Sequence, residues 1–247
     1  MNDRQLVKML ARQEDPPESI ERMALIRTAL ADQYTVVPGP LGPIHVGFTP
    51  VGVSSIVPTN DEGEFLAAHR ERVGRPVYPG DMSSGLRDLL ARVVETGRLG
   101  KLPVDLRVLT PFQQEALRVT ASIPPGEVRP YGWVAREMGR ERAVRAVGTS
   151  LARNPVPIAI PCHRVVRSDG ALGNYAFGVE MKHDLLEHEG MTEFGTLHVV
   201  ASDTTGVYCY PSCGHARRIG LSHRAVFSTP ALAETAGYRA CKVCRPG

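Results

Sequence analysis

The sequence has no apolar run long enough to cross a membrane. None of its 247 residues lies in a stretch approaching the roughly 20 consecutive apolar residues of a spanning helix, and the opening MNDRQLVKMLARQED has no apolar signal core. Internal repeats and low-complexity tracts are also absent. These absences exclude a membrane-spanning protein, and the 43% hydrophobic content is enough for packed cores. We therefore expect a globular protein of the cytoplasm.

Cysteine is scarce and unevenly placed. Cys162 stands alone, whereas Cys209, Cys213, Cys241 and Cys244 form a C-x3-C pair and a C-x2-C pair separated by 27 residues. Disulfides are not expected in the cytoplasm, and two close pairs supply the four corners of a tetrahedral zinc shell. The sequence therefore predicts a four-cysteine zinc site. The alternative, four reduced thiols packed as small hydrophobic groups, leaves the pairing at both ends unexplained.

The net charge of +3 conceals two basic segments. Residues 129–167 carry eight Arg against two Glu, and residues 206–247 carry five Arg and one Lys against one Glu. The rest of the chain is acidic. Two basic segments on an acidic body suit a polyanionic partner, although either segment alone is also typical of a solvated helix face.

Apolar patterns and chain breakers divide the chain into four predicted parts. Residues 1–32 form a helical arm, packed on the next domain through apolar residues at helical spacing. Residues 33–108 form a small antiparallel sheet with helices, 109–192 a mainly helical domain, and 193–247 the cysteine module, which together give a mixed α/β fold. The apolar residues of the arm are Leu6, Val7, Leu10, Ile20, Met23, Ile26 and Leu30.

Two helix signals stand out in the third part. Thr110 followed by Pro111 and Gln113 has the pattern of a capped helix start. Further on, a helix from about Tyr131 to Met138, a break at Gly139 and a second helix ending before Asn154 suggest a helix-turn-helix. The second helix carries arginines among small residues: Arg142, Ala143, Val144, Arg145, Ala146 and Arg153.

Prolines surround the isolated cysteine. With prolines at 155, 157 and 161, the segment before Cys162 is expected to be a rigid, extended strand that presents the thiol at its end. A lone Cys in an apolar run is usually an inert core residue. Its neighbours favour a reactive site instead: His163, Asn154, Tyr175 and Glu189.

Ordered motifs over residues 110–190 carry a family resemblance. The segments GEV.PY, RAVG, NPVPI.IPCHRVV, G..GNY and LL.HEG follow one another along the chain, which resembles the O6-alkylguanine-DNA alkyltransferases. The resemblance implies that the preceding domain has a ribonuclease H-like form. It also implies a monomer that repairs double-stranded DNA, with O6-alkylguanine as substrate and O4-alkylthymine as a further one.

The resemblance assigns roles to the residues around the cysteine. Cys162 is the acceptor nucleophile, which keeps the alkyl group as a thioether, so each molecule reacts once. An ordinary thiol is mostly protonated at neutral pH, and His163, acting through a water and oriented by Glu189, takes its proton. Tyr131 protonates the leaving guanine or donates a hydrogen bond to it, and Asn154 braces the active-site turn.

The resemblance also assigns the DNA contacts. The substrate base is extruded from the duplex, and the second helix of the helix-turn-helix enters the minor groove. Arg145 fills the space left by the base, whereas a surface ion pair is the alternative role for this side chain. The remaining predicted DNA-contacting residues are Ala143, Ala146, Gly148, Arg153 and Tyr175.

Phe177 departs from the family pattern, in which a small residue is common at this place. We predict that Phe177 and Val165 line the base pocket and that the Phe177 ring favours methyl over benzyl adducts.

The cysteine module resembles the zinc module of the Ada adaptive-response protein, through TTGVYCYPSCGHARR and AETAGYRACKVCRPG. The resemblance implies that Cys209, Cys213, Cys241 and Cys244 bind zinc and that Cys209 accepts a methyl group from a DNA methyl phosphotriester. A purely structural zinc ion is the alternative.

Two other function classes account for part of the sequence pattern. A Cys-His-Glu hydrolase shares the nucleophile and base, yet gives no reason for an arginine-bearing helix-turn-helix. A DNA-binding regulator with structural zinc explains the basic segments but not the residues around Cys162.

Overall fold

The computed structural model of the protein describes residues 18–191 and 198–246. Within these ranges the chain folds as the mixed α and β structure that the sequence predicts, and it contains three small sheets. None of the helices in the two ranges combines the length and apolar character needed to cross a bilayer.

A four-stranded sheet with three helices forms the first region. Its strands are arranged β3-β2-β1-β4; the first three are antiparallel, and β4 is parallel to β1. The antiparallel sheet predicted from Tyr34 onward is confirmed for β1–β3, and β4 is an additional parallel strand that the second helix returns to the start of β1. The elements are α1 (Glu18–Arg27), β1 (Asp32–Gly39), β2 (Gly42–Thr49), β3 (Gly52–Val57), α2 (Glu62–Arg72), β4 (Val77–Pro79) and α3 (Ser84–Thr96).

The predicted N-terminal arm is described only from Glu18 onward. Leu6, Val7 and Leu10 lie outside the described residues. Helix α1 exists, but Ile20 and Met23 are each more than half exposed. The expectation that these side chains pack on the next domain is therefore wrong; in its place, the Arg22 guanidinium lies 5.5 Å from the centre of the Tyr78 ring.

The second region contains the helix-turn-helix. Helix α4 begins with the predicted capping box, in which Thr110 and Gln113 satisfy each other's backbone N–H groups. Helices α5 and α6 are separated by Gly139, whose φ of +67° suits glycine, and by a short 3-10 turn. The elements are α4 (Pro111–Thr120), β5 (Arg129–Pro130), α5 (Tyr131–Glu137), α6 (Val144–Ala152), β6 (Val165–Val166) and α7 (Val179–His188).

One hydrophobic core joins the first two regions. Val46 and Ile56 of the sheet belong to the same buried cluster as Ile160 and Cys162. The backbone N–H of Ile56 also donates to the Pro155 carbonyl at 2.8 Å. The sheet therefore supports the cysteine-bearing segment directly, although the predicted boundary at residues 108/109 divides them.

The third region is a small sheet with the order β10-β8-β7-β9. Parallel pairing of β10 with β8 aligns Ala240 with Tyr208, so Cys241 and Cys209 follow at the same edge of the sheet. The elements are β7 (Val199–Ser202), β8 (Val207–Cys209), β9 (Arg224–Phe227), α8 (Pro230–Thr235) and β10 (Arg239–Ala240).

Candidate functional site

Cys162 begins a 3-10 turn instead of ending a strand. Residues 155–160 form bends and turns, Ile158 has a φ of +73°, and the short strand β6 comes after the cysteine. The predicted strand before Cys162 is therefore wrong. The prolines at 155, 157 and 161 have no N–H to donate to a neighbouring strand. The backbone hydrogen bonds that a strand would supply come from a side chain instead.

That side chain is the buried carboxamide of Asn154. Its Nδ2 donates to the Ile160 carbonyl at 2.9 Å and to Cys162 Sγ at 3.2 Å, and its Oδ1 accepts the Val156 N–H at 3.1 Å. Asn154 thus closes the turn and contacts the sulfur with the same amide group. This geometry supports the bracing role predicted for Asn154.

His163 and Arg164 share the carboxylate of Glu189. His163 Nε2 lies 2.9 Å from Glu189 Oε1, and Arg164 forms a two-pronged ion pair with both carboxylate oxygens at 2.6 and 2.9 Å. Since a carboxylate only accepts, Nε2 carries the proton and leaves the lone pair of the neutral ring on Nδ1. Arg164 also donates to the carbonyls of Ile123 and Gly97, at 2.6 Å each.

Opposing effects set the ionisation of these groups. Burial raises the pKa of Cys162, while the Asn154 amide and the charges of Lys182 and Arg72 act to lower it. Burial lowers the pKa of His163, so its ring is neutral at pH 7. Burial alone raises the pKa of Glu189, but hydrogen bonds from His163 and Arg164 outweigh burial and bring it down to about 2. The site therefore pairs a neutral imidazole with a permanent carboxylate.

A cavity of about 540 Å³ opens onto the sulfur. This volume lies within the range of small-molecule pockets and accommodates a purine base. Tyr131 lines it together with Cys162, as its predicted role at the leaving base requires, and Gly148 and Tyr175, which were predicted as DNA contacts, also form part of the wall. Burial raises the pKa of Tyr131, followed in size by the effect of Cys162, so the phenol stays protonated and can donate.

Phe177 and Val165 lie elsewhere than predicted. Neither residue is among those that line the cavity, and Val165 is completely buried in the core. The Phe177 ring packs against the buried cluster of Tyr34, Val57 and Phe65 in the first region, with the Arg72 guanidinium 4.5 Å from its centre. Phe177 thus lies behind the cavity wall, where its ring centre is 5.7 Å from that of the lining residue Tyr175. The preference for methyl over benzyl adducts stays a prediction.

The helix-turn-helix presents its predicted DNA-contacting residues to solvent. Arg145, Ala146 and Arg153 are exposed, and Ala143 is half-buried. A groove of about 710 Å³ runs beside them between α5, the turn and the end of the third region. Its lining is mostly basic: Arg136, Gly139, Arg140, Glu141, Arg142, Ala143 and Arg245.

The four remaining cysteines meet in one cluster. Their sulfur atoms all lie within 4.8 Å of one another, and the thiols are free. Zn–S bonds of about 2.3 Å place tetrahedral sulfurs about 3.8 Å apart, so the cluster fits a zinc ion with little adjustment. Cys209, Cys213 and Cys241 are buried and Cys244 is half-buried. The cysteine spacing thus predicts the cluster correctly.

A second cavity, of about 580 Å³, lies against this cluster. Cys209 and Cys241 form part of its wall, and basic side chains surround them. Arg218, Arg239 and Lys242 supply the positive charge. The cysteine cluster is therefore reached from a cavity with a basic wall.

Sequence reasoning missed three cations around Cys162. Arg164 and Lys182 are fully buried, although charged residues rarely are, and Arg72 comes from α2, 90 positions before the acceptor. Lys182 Nζ donates to the carbonyls of Val165 and Leu172 at 2.6 and 2.5 Å, and burial lowers its pKa to about 8. Only Arg164 had a local signal, because it lies inside the PCHR motif.

Comparison with known proteins agrees with this arrangement. Residues 111–191 match the 6-O-methylguanine DNA methyltransferase DNA-binding domain, and residues 190–247 match the metal binding domain of Ada. The structure of Mycobacterium tuberculosis OGT in complex with DNA superposes with a TM-score of 0.52 at 31% identity, over 64% of this chain and 92% of that one.

Several curated relatives bear the name methylated-DNA–protein-cysteine methyltransferase. The Shigella flexneri protein is 41% identical over 115 residues, which is 45% of this chain and 64% of the relative. The Methanosarcina barkeri protein is 36% identical over 160 residues, which is 63% of this chain and 96% of the relative. With nearly the whole of the latter covered, the chain belongs to the methylated-DNA–protein-cysteine methyltransferase family.

Proposed function

We propose that the protein repairs double-stranded DNA by moving an alkyl group from guanine O6 to Cys162, once per molecule, in the cytoplasm at the nucleoid. The observation that carries this proposal is the position of Cys162 Sγ. It lies in a purine-sized cavity, with a hydrogen-bond donor on the sulfur from Asn154 and a phenol, Tyr131, on the cavity wall.

The neighbouring imidazole activates the sulfur. His163 Nδ1 is buried and has no hydrogen-bond partner among the described residues, while Nε2 is held by Glu189. Through a bridging water, Nδ1 takes the thiol proton, and the resulting imidazolium is stabilised by the carboxylate. Lys182 and Arg72 favour the thiolate electrostatically. Burial keeps the resting thiol protonated, so ionisation is coupled to reaction.

The transfer is a single displacement. The Cys162 thiolate attacks the alkyl carbon, the S–C bond forms, and the C–O6 bond breaks with its electron pair going to guanine. Tyr131 donates a hydrogen bond to the departing guanine anion, which takes up a proton from solvent, while the imidazolium returns the thiol proton to solvent. A thioether is not readily cleaved, so the reacted protein is spent. O4-alkylthymine fits the same displacement.

Binding to DNA follows from the exposed basic surface. Arg145 and its small neighbours on α6 enter the minor groove, and Arg145 occupies the gap left by the extruded nucleotide. The basic groove next to α6 contacts phosphates. We expect the protein to act as a monomer and its affinity for DNA to fall with rising salt and to depend little on sequence.

Labelled DNA tests the proposal. A duplex carrying O6-methylguanine with a labelled methyl group is mixed with the protein, and the label on protein and in solution is counted. We expect one equivalent on wild-type protein and none on Cys162→Ala. Catalytic release of the label indicates a hydrolase, and no transfer indicates a regulator; either result refutes the proposal.

A second transfer, from a methyl phosphotriester to Cys209, is supported by the basic cavity at the cysteine cluster. Bound zinc keeps a cysteine ligand deprotonated at neutral pH, and Cys209, Cys213, Cys241 and Cys244 would hold it. A neutral triester in a chain of phosphodiesters is guided there by Arg218 and Arg239. Mass spectrometry of peptides after reaction with triester-bearing DNA should find a methyl group on Cys209. An unmodified Cys209 leaves zinc with a structural role only.

A further inference from the structure

The zinc module is fastened to the helix-turn-helix through one continuous seam. It joins Glu127, β5 and α5 to the cysteine-bearing segments of the third region. We define the seam by the residues that make its contacts: Glu127, Arg129, Trp133 and Arg136 on one side, and Tyr210, Ser212, Cys244 and Arg245 on the other.

Trp133, the single tryptophan of the chain, lies in the middle of the seam. Its ring packs against both the main core and the core of the zinc module. The indole Nε1 donates to the backbone carbonyl of Cys244, one of the four clustered cysteines, at 3.3 Å. Arg136, one turn further along α5, donates to the Arg245 carbonyl at 3.0 Å. The backbone that carries a metal ligand is thus bonded to α5.

Arg129 fixes the other end of the seam. Its guanidinium lies 3.5 Å from the centre of the Tyr210 ring and donates to Ser212 Oγ at 3.0 Å. Glu127 accepts from Arg129 at 2.7 Å and from Ser212 at 2.9 Å. Arg129 is only 4% exposed, so these contacts form away from water, where unpaired charge is costly. The contacts therefore stabilise one relative position of the two regions.

The same short segment builds the alkyl-transfer cavity. Tyr131 lies midway between Arg129 and Trp133, and it faces the cavity that contains Cys162. Arg129 pairs with Val165 in β5–β6, immediately after the turn that carries Cys162, His163 and Arg164. A shift of this segment at the seam therefore moves the phenol relative to the sulfur.

We propose that zinc occupancy of the four-cysteine site positions Tyr131 for alkyl transfer at Cys162, with Trp133 as the positioning residue between them. This inference rests on the proposed function. When zinc holds Cys244, the carbonyl of that residue is a fixed acceptor for Trp133, and α5 is held in register. Without zinc, Cys244 and Arg245 are released and the first turn of α5 loses its support. The module is then a part of the guanine site and not only an extra DNA-binding unit.

The test uses the full chain in four forms: zinc-loaded, zinc-stripped by a chelator, Trp133→Phe and Ser212→Ala. Single-turnover transfer from labelled O6-methylguanine duplex is measured at saturating DNA, so that weaker DNA binding does not enter the rate constant. We expect a roughly 10-fold lower rate constant for the stripped protein and for Trp133→Phe, because small displacements of a catalytic group have effects of this size. Ser212→Ala should lie between them and wild type.

Tryptophan emission gives a readout that is independent of activity. In zinc-loaded wild-type protein the ring is half-buried, and stripping zinc should shift its emission to the red. Thr235→Ala, exposed on α8 outside the seam, is the matched control and should change neither signal. An emission shift without loss of rate overturns the positioning role, and unchanged emission overturns the seam. If zinc-loaded wild-type protein transfers no label while its emission still shifts, the proposed function fails and the seam stands.

Discussion

Replacing Glu189 by Gln should destabilise the protein by about 3 kcal/mol at pH 7. Although burial opposes it, hydrogen bonds from His163 and Arg164 lower the pKa of this carboxyl from 4.5 to about 2, and about 1.36 kcal/mol per pKa unit converts the difference into that free energy. The buried Arg164 guanidinium, 1% exposed, loses its counter-charge in the variant. Breaking a buried pair in this way typically costs about 3–5 kcal/mol, which agrees.

The pH dependence of the stability loss distinguishes a lost ion pair at Glu189 from a packing defect. Because the folded pKa of Glu189 is depressed, its contribution is complete above pH 4.5 and is lost as the pH falls toward 2. The difference in free energy of unfolding between wild type and Glu189→Gln, from urea titrations, should therefore shrink to about 1 kcal/mol at about pH 3. Glu187→Gln, exposed on α7, is the control and should change stability by less than about 0.5 kcal/mol. A Glu189→Gln difference that is independent of pH would falsify the ionic explanation.

Three further predictions concern activity and metal. Arg145→Ala should slow transfer from duplex O6-methylguanine by about 10-fold or more and leave the reaction with the free base unchanged, because only extrusion of the nucleotide needs the side chain. Arg92→Ala, which removes an exposed arginine of α3, is the control in the same assay. Equal losses with duplex and free base would contradict the role of Arg145. The transfer rate should hold from about pH 8 to about pH 6.5 and fall at lower pH, since burial lowers the pKa of His163 below its ordinary 6.5 and only the neutral ring accepts a proton; stopped-flow rates that rise on acidification refute this assignment. Cys213→Ser should lose bound zinc in native mass spectrometry, whereas Cys162→Ser keeps it; zinc retained by Cys213→Ser contradicts the four-cysteine shell.

The features that the sequence predicts well are those set by residues close together in the chain. The capping box at Thr110, the glycine turn at Gly139 and the paired cysteines each depend on residues a few positions apart, and the structure has all three. The PCHR segment identifies the acceptor because the motif is contiguous. Its expected strand is wrong, since proline frequency does not reveal that Asn154 will satisfy the backbone of a turn.

Long-range packing explains what the sequence misses. Arg72 and Lys182 read as ordinary surface cations of helices, yet the fold brings both close to one sulfur. Phe177 follows the GNY motif and looks like a pocket residue, but its ring finds an apolar cluster and a guanidinium in the first region. In each case the residues that determine where the side chain lies are distant in the chain, so local sequence spacing does not predict the contact.

The hydrogen bonds of Arg164 also determine whether a fragment of this protein can keep its activity. A fragment starting at Thr110 would retain every residue of the PCHR signature and the whole helix-turn-helix. It would nevertheless lack the Gly97 carbonyl that binds the Arg164 guanidinium and the Arg72 charge that favours the thiolate. The sheet region contributes no residue to the recognised motifs, yet the alkyl-transfer site needs it. Fragments that lack this region should therefore be weaker alkyl acceptors.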